Sequence, residues 1–196
     1  MKSRILPTLI ACFTSSVFAD GELSDFTKFG GFELEKTELK EIISKIGDAP
    51  VHKEGDAGES YTGICYFYPI QNITAFYESG EMGCSTTLLS YKFLSGKTTR
   101  YPCATIEDGG SQPFSLGGFK IGQTLKAAES LLPLKPYSVQ GNVYTYWNRI
   151  PFTEKDYLKV GAEQSDNLTW DDMVTIEIYT NEDIVTGYGV SRVITW

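Results

Sequence analysis

Leu39, Ile42, Ile43 and Ile46 lie on the i, i+3, i+4, i+7 stripe of an amphipathic helix, with Thr37 placed to cap its start and Gly47 and Pro50 to stop it. Leu125, Ala128, Leu131 and Leu132 predict a second helix with these residues facing inward, capped by Thr124 and ended by Pro133. Each spans only about three turns, too short to persist in water unless packed on something. The rest of the pattern supplies a sheet. Tyr61 to Tyr68 and Val143 to Ile150 are rich in aromatic and branched residues, and Met173 to Tyr179 and Ile184 to Val193 alternate on either side of a turn at Thr180-Asn181-Glu182-Asp183. Folding that hairpin about Asn181-Glu182 sets Ile178 opposite Val185, Ile176 opposite Gly187 and Val174 opposite Gly189 on a helix-covered face. Glu177, Thr175, Tyr179 and Tyr188 then point the other way. Ile73 to Glu78 and Thr86 to Phe93 predict a similar hairpin around Ser79-Gly80-Glu81.

The elements come in the same order twice because the chain is written twice. Phe29-Gly30-Gly31-Phe32-Glu33-Leu34-Glu35-Lys36-Thr37 returns 87 positions later as Leu116-Gly117-Gly118-Phe119-Lys120-Ile121-Gly122-Gln123-Thr124. The expected fold is therefore α+β, two tandem copies of a module made of a short helix and an antiparallel sheet. The copies cover residues 20–93 and 114–196, with a connection at 94–113 that can hold a further edge strand.

The N-terminus changes the picture of where such a protein works. Met1-Lys2-Ser3-Arg4, the apolar run Ile5 to Phe13 and Val17-Phe18-Ala19 before Asp20 have the form of a secretory signal peptide over residues 1–19. Leu9-Ile10-Ala11-Cys12 also resembles a lipobox, which would make Cys12 a lipidated first residue. No later stretch approaches the ~20 apolar residues of a transmembrane helix. Removal of residues 1–19 would leave 15 basic and 25 acidic side chains, a charge that disfavours nucleic acid and anionic membranes and favours a basic protein partner. Three cysteines would remain, and an oxidising compartment implies one disulfide with one thiol left over. Cys84 and Cys103 sit at segment edges and are the expected pair, with Cys65 a buried thiol in its aromatic strand.

Candidate chemistry narrows the choice further. The single histidine, His52, reads as a surface residue in a polar turn, and no Gly-x-Ser-x-Gly, His-Glu-x-x-His, phosphate loop or dinucleotide fingerprint is present. The paired glycines read as a tight turn before a helix. The stretch from Pro151 to Asp172 is long for a loop and carries Glu154, Asp156, Glu163, Asp166, Asp171 and Asp172 with Tyr157 and Trp170. Its carboxylates match no calcium loop or glycosidase spacing, so neither catalytic residues nor a metal nor a cofactor is expected.

Gly118-Phe119-Lys120-Ile121-Gly122-Gln123-Thr124, the helix, its proline stop, Gly141-Asn142-Val143-Tyr144-Thr145-Tyr146-Trp147 and the closing hairpin together resemble the exported bacterial modules typified by the outer-membrane assembly lipoprotein SmpA/BamE and by β-lactamase inhibitor protein. The first copy departs from the motif, with Glu35 where its second glycine would stand. The resemblance implies that tandem members are inhibitors whose sheets form a concave surface gripping another protein, and that single-copy members are envelope assembly factors. The expected function is a periplasmic inhibitor or immunity protein that binds a toxin or enzyme, the alternative an envelope assembly accessory (lipo)protein. Expected partner-binding residues are Tyr144, Tyr146, Trp170, Asp171 and Asp172, together with Glu177, Tyr179 and Tyr188.

Overall fold

The structure, a computed structural model, describes residues 23–55, 60–80, 86–107, 114–160 and 170–195. Residues 1–19, expected to be a leader, and Cys12 and Cys84 lie outside the described residues. After a 3-10 turn at Leu23–Thr27 come a small hairpin of β1 (Lys28–Phe29) and β2 (Phe32–Glu33), helix α1 (Leu39–Ile46), and strands β3 (Val51–Glu54), β4 (Tyr61–Tyr68), β5 (Ile73–Gly80) and β6 (Ser90–Ser95). A short β7 (Ala104–Thr105) leads to a second hairpin of β8 (Ser115–Leu116) and β9 (Phe119–Lys120), then helix α2 (Leu125–Glu129) and β10 (Ser138–Gln140). The chain ends with β11 (Val143–Pro151), helix α3 (Glu154–Val160), β12 (Asp171–Asn181) and β13 (Ile184–Thr195).

The larger strands form a sheet in the order β10-β11-β12-β13-β6-β5-β4-β3, every neighbour antiparallel, with β7 added parallel to β4. The fold is thus a sheet-dominated α+β. It consists of two meanders joined along their last strands, where Gly187 pairs with Leu94, Gly189 with Lys92 and Ser191 with Ser90. Both small hairpins turn on their glycine pair, with φ of 53° and 83° at Gly30-Gly31 and 55° and 92° at Gly117-Gly118, values only glycine adopts readily side by side.

One face of the sheet carries the core. Phe29 from the first hairpin sits 3.9 Å from Tyr91 between ring centroids, and the Tyr91 hydroxyl donates to the carbonyl of Phe26 at 2.8 Å. Leu39 and Ile42 of α1 and Leu125 and Ala128 of α2 bury their stripe on this face. Burying each such large apolar side chain stabilises by roughly 1.5–3 kcal/mol, which outweighs the weak intrinsic stability of helices this short. At the junction of the meanders, Tyr188 stacks on Phe119 at 5.8 Å and meets Phe93 edge-on at 5.4 Å.

Thr124 does cap α2, accepting from the amide of Ala127, but Thr37 does not cap α1. One more residue separates Glu35 from Leu39 than separates Gly122 from Leu125, so Glu38 takes the cap position and the Thr37 hydroxyl accepts from the amide of Glu33 at 2.9 Å. Leu131 lies beyond the end of α2 and is partly exposed, whereas Leu132 is buried. His52 belongs to β3 rather than to a turn. The last hairpin also has a different register. Its turn is the two-residue Glu182-Asp183, both with positive φ, and a bulge at Thr186 shifts the pairing by one, so Ile178 faces Tyr188, Ile176 faces Val190, and Val174 faces Arg192. The shift brings Tyr188 into the core and turns Gly187 and Gly189 to the opposite face.

The disulfide joins Cys65 to Cys103, not Cys84 to Cys103. Cys65 is buried, but on the face away from the helices, where the segment after β6 folds back and brings Cys103 to it. Among the described residues no helix is long and apolar enough to cross a membrane.

Candidate functional site: the open face of the sheet

Side chains alternate along each strand, so the face without helices can be followed across the sheet through the pairing. In the first meander it carries His52 and Glu54 of β3, Tyr61, Cys65 and Phe67 of β4, and Thr74, Phe76 and Glu78 of β5. The chain itself covers most of this half. A strap at residues 96–103 is pinned at its base by Thr74, whose hydroxyl donates to the carbonyl of Gly96 at 2.6 Å and accepts from the amide of Thr98 at 3.3 Å. Lys97 stands over the Phe67 ring, and Arg100 donates to Glu54 at 2.6 Å. Tyr101 lies flat on His52 at 4.0 Å, meets Phe76 at 6.2 Å and shares a hydrogen bond with the Tyr61 hydroxyl at 2.9 Å. The Cys65–Cys103 bond closes the strap.

Electrostatics follow from this cover. Burial pulls the pKa of His52 below its usual value, and among the described residues neither ring nitrogen finds a hydrogen-bond partner. The Tyr101 and Tyr61 hydroxyls and the Arg100 guanidinium bring Glu54 down to about 2. A neutral imidazole and an ionised carboxylate therefore sit under the strap at neutral pH.

The second meander presents Thr145 and Trp147 of β11, Thr175, Glu177 and Tyr179 of β12, and Gly187, Gly189 and Ser191 of β13 on the same face, continued by Lys92 and Leu94 of β6. Among the described residues nothing equivalent to the strap crosses it, and Thr145, Trp147, Thr175, Glu177 and Tyr179 all keep part of their surface in solvent. Gly189 lies between Glu177 and Lys92, and Gly187 between Tyr179 and Leu94. The Leu94 side chain fills the space beside Gly187, whereas over Gly189 a trough remains at the junction, lined by Glu78, Ser90, Lys92, Thr175, Glu177 and Ser191. The Tyr179 hydroxyl donates to Glu177, while Lys92 stands 3.7 Å from that carboxylate and 5.2 Å from the Tyr179 ring. Toward the outer edge, Tyr137 packs on Trp147 at 4.7 Å and is itself largely exposed.

Of the residues expected to bind a partner, Glu177 and Tyr179 meet on this face with part of their surface in solvent, and Asp171 lies on it but is buried. Tyr144 and Tyr146 lie on the covered face; Tyr146 is fully buried and its hydroxyl donates to Glu129 of α2. Tyr188 is fully buried in the core. Asp171 and Asp172 are not loop carboxylates but the first residues of β12. Asp171 is 2% exposed and paired with Arg149, whereas Asp172 points to the helix side and accepts twice from Arg192, at 3.0 and 2.6 Å. Trp170 joins a local cluster with Phe152 and Tyr157, the Tyr157 hydroxyl accepting from its amide at 2.8 Å. The stretch expected to be an acidic loop thus contains α3 and ends in paired charges, with residues 161–169 outside the described residues. Trp147, Tyr137 and Lys92 were missed, although Trp147 follows directly from its alternation with Tyr146.

Neither a protein-family model nor a curated protein nor a solved structure matches the chain.

Proposed function

We propose that this is an exported protein-binding module, a periplasmic inhibitor or immunity protein that holds a toxin or enzyme on the uncovered half of the sheet. The observation that carries the reading is the contrast between the two halves of one face: the first is closed by its own strap, the second bears Trp147, Tyr137 and Tyr179 beside a glycine-floored trough. Aromatic side chains that are rigid and half-exposed are typical anchors of tight interfaces. Glu78 and Glu177 at the trough and the acidic balance of the chain suit a partner with a basic patch. The buried disulfide suits an oxidising compartment.

The tandem origin is part of the same proposal. It is supported by the repeated order of glycine-turn hairpin, helix and four-strand meander. It is supported also by Glu35, which takes φ 64° where Gly122 takes 92°, their amides donating to the carbonyls of Leu88 and Val185 respectively. With no catalytic motif in the sequence and half-exposed aromatics on the open face, binding is favoured over catalysis.

Site-directed photo-crosslinking in the producing cell tests this. A benzophenone side chain at Thr145 or Thr175 should capture one and the same polypeptide, and at Lys126 on α2 it should not. Equal capture from Lys126, or none from the sheet positions, would contradict the proposal.

A further inference from the structure

On the helix-bearing side, where the first hairpin meets the ends of β11, β12 and β13, a cavity of about 250 Å³ opens beside Glu35, Asp172 and Arg192. Its polar wall is over-supplied with carboxylate. The single guanidinium of Arg192 already makes two hydrogen bonds to Asp172, and it approaches Glu35 only at 3.5 Å. Lys36, the other cation of the lining, reaches away to Glu33 at 2.6 Å. Glu35 itself receives one backbone hydrogen bond, from Ile194, and keeps further acceptor positions on a side chain that is 18% exposed. The opposite wall is apolar, formed by Ile150, Phe152 and Ile194, and Ile150 is 39% exposed there.

The backbone is a second sign that this carboxylate is placed on purpose. Glu35 holds φ 64°, a region unfavourable to a long side chain, whereas Gly122 in the second half meets the same demand with glycine. Burial raises the Glu35 pKa despite the nearby Arg192, as expected of a carboxyl whose cation is committed elsewhere.

We infer that this cavity binds a short alkyl chain ending in a guanidinium or ammonium group, with Glu35 as the recognising carboxylate and Ile150 and Phe152 as the wall for the methylenes. A cation in this position would supply the donors that Glu35 lacks, and the alkyl stem would cover the apolar wall. The chemistry is shared by free alkylamines and by arginine or lysine side chains of a polypeptide. The site lies across the sheet from the trough, so its test is independent of the partner proposed above.

The full chain, labelled with ¹⁵N, is titrated with agmatine while the Ile194 amide and Arg192 Nε resonances are followed. Saturable shifts are expected in the millimolar range or tighter, as suits a ligand of this size, and the neutral analogue N-butylurea should give none. Glu35→Gly should fold with an unchanged or higher melting temperature, because glycine suits that φ, yet weaken agmatine binding at least about tenfold. Glu35→Gln, which keeps an acceptor for Ile194, should weaken it similarly. Competition by blocked arginine amide would assign the site to a polypeptide side chain, and agmatine binding without it to a free amine or guanidine. Failure of the wild type to saturate well above the millimolar range, or unchanged affinity in Glu35→Gly, would leave Glu35 as a brace for Arg192 and overturn the inference.

Discussion

Each half of the open face belongs to a four-strand antiparallel meander, and the two halves end differently. In the first, Cys65 and Thr74 are fully buried and Phe76 is 6% exposed, although no helix packs on them. In the second, the corresponding strands leave Thr145, Trp147, Thr175 and Glu177 half-exposed. The difference comes from eight residues of connection and one disulfide. An antiparallel sheet can leave one face in solvent, and the aromatic side chains on such a face can instead be covered by the protein's own chain or by another molecule. The first half uses the strap; the proposed function assigns the second half to another molecule.

The largest expected effect removes what both halves share. Tyr188→Ala opens a cavity between Phe93 and Phe119 and should destabilise by roughly 3–5 kcal/mol in a denaturant titration. Tyr188→Phe should be near neutral, since among the described residues the buried hydroxyl has no hydrogen-bond partner. A small loss for Tyr188→Ala would mean that the bulge, and hence the assignment of faces on β13, is wrong.

Replacing Cys65 and Cys103 by alanine should come next, at about 2–4 kcal/mol, because the bond closes a loop with a separation of 38 residues. Here the comparison itself is read out. Hydrogen exchange should quicken at the Ile106 amide, bonded to Phe67, while amides between β11 and β12 keep their protection. Equal loss in both halves would show that the strap does not act locally.

In acid the strapped half should lose a smaller amount of stability. The folded pKa of His52 is lowered, so its contribution is complete above the unfolded value of about 6.5 and declines as pH falls below it. Glu54 is also lowered, so its contribution is present above about 4.5 and is lost as pH falls toward about 2. The wild type should therefore melt at a lower temperature at about pH 5 than at pH 7, and His52→Leu should remove most of that difference. A pH dependence unchanged by His52→Leu would place the titration elsewhere.

The sequence made the covered face more legible than the open one. Tyr61–Tyr68 and Val143 onward emerged as strands from their composition, and the alternation of Val174, Ile176 and Ile178 correctly named the buried side of β12. β3 and β10 escaped notice, being short edge strands with little apolar patterning. On β13 the candidate site turns on one residue. The extra Thr186 leaves no mark in the apolar pattern, yet it reverses the faces of all that follows, so Tyr188 was read as exposed and the glycines as covered. The disulfide was misread for a different reason: only the fold-back of residues 96–103, a tertiary event, brings Cys103 over Cys65. Asp171 and Asp172 could not be separated from the loop before them because their partners, Arg149 and Arg192, lie on neighbouring strands.

The smallest effect on folding should accompany the largest on binding. Trp147→Ala truncates a half-exposed ring and should cost less than about 1 kcal/mol of stability. The decisive measurement is a melting curve paired with a binding titration against the polypeptide captured from Thr145 and Thr175, with Thr99→Ala on the strap as the control. Trp147→Ala should melt close to the wild type and bind about thirtyfold more weakly, while Thr99→Ala binds normally. Unchanged affinity in Trp147→Ala, or a loss in Thr99→Ala instead, would contradict the uncovered half as the binding face.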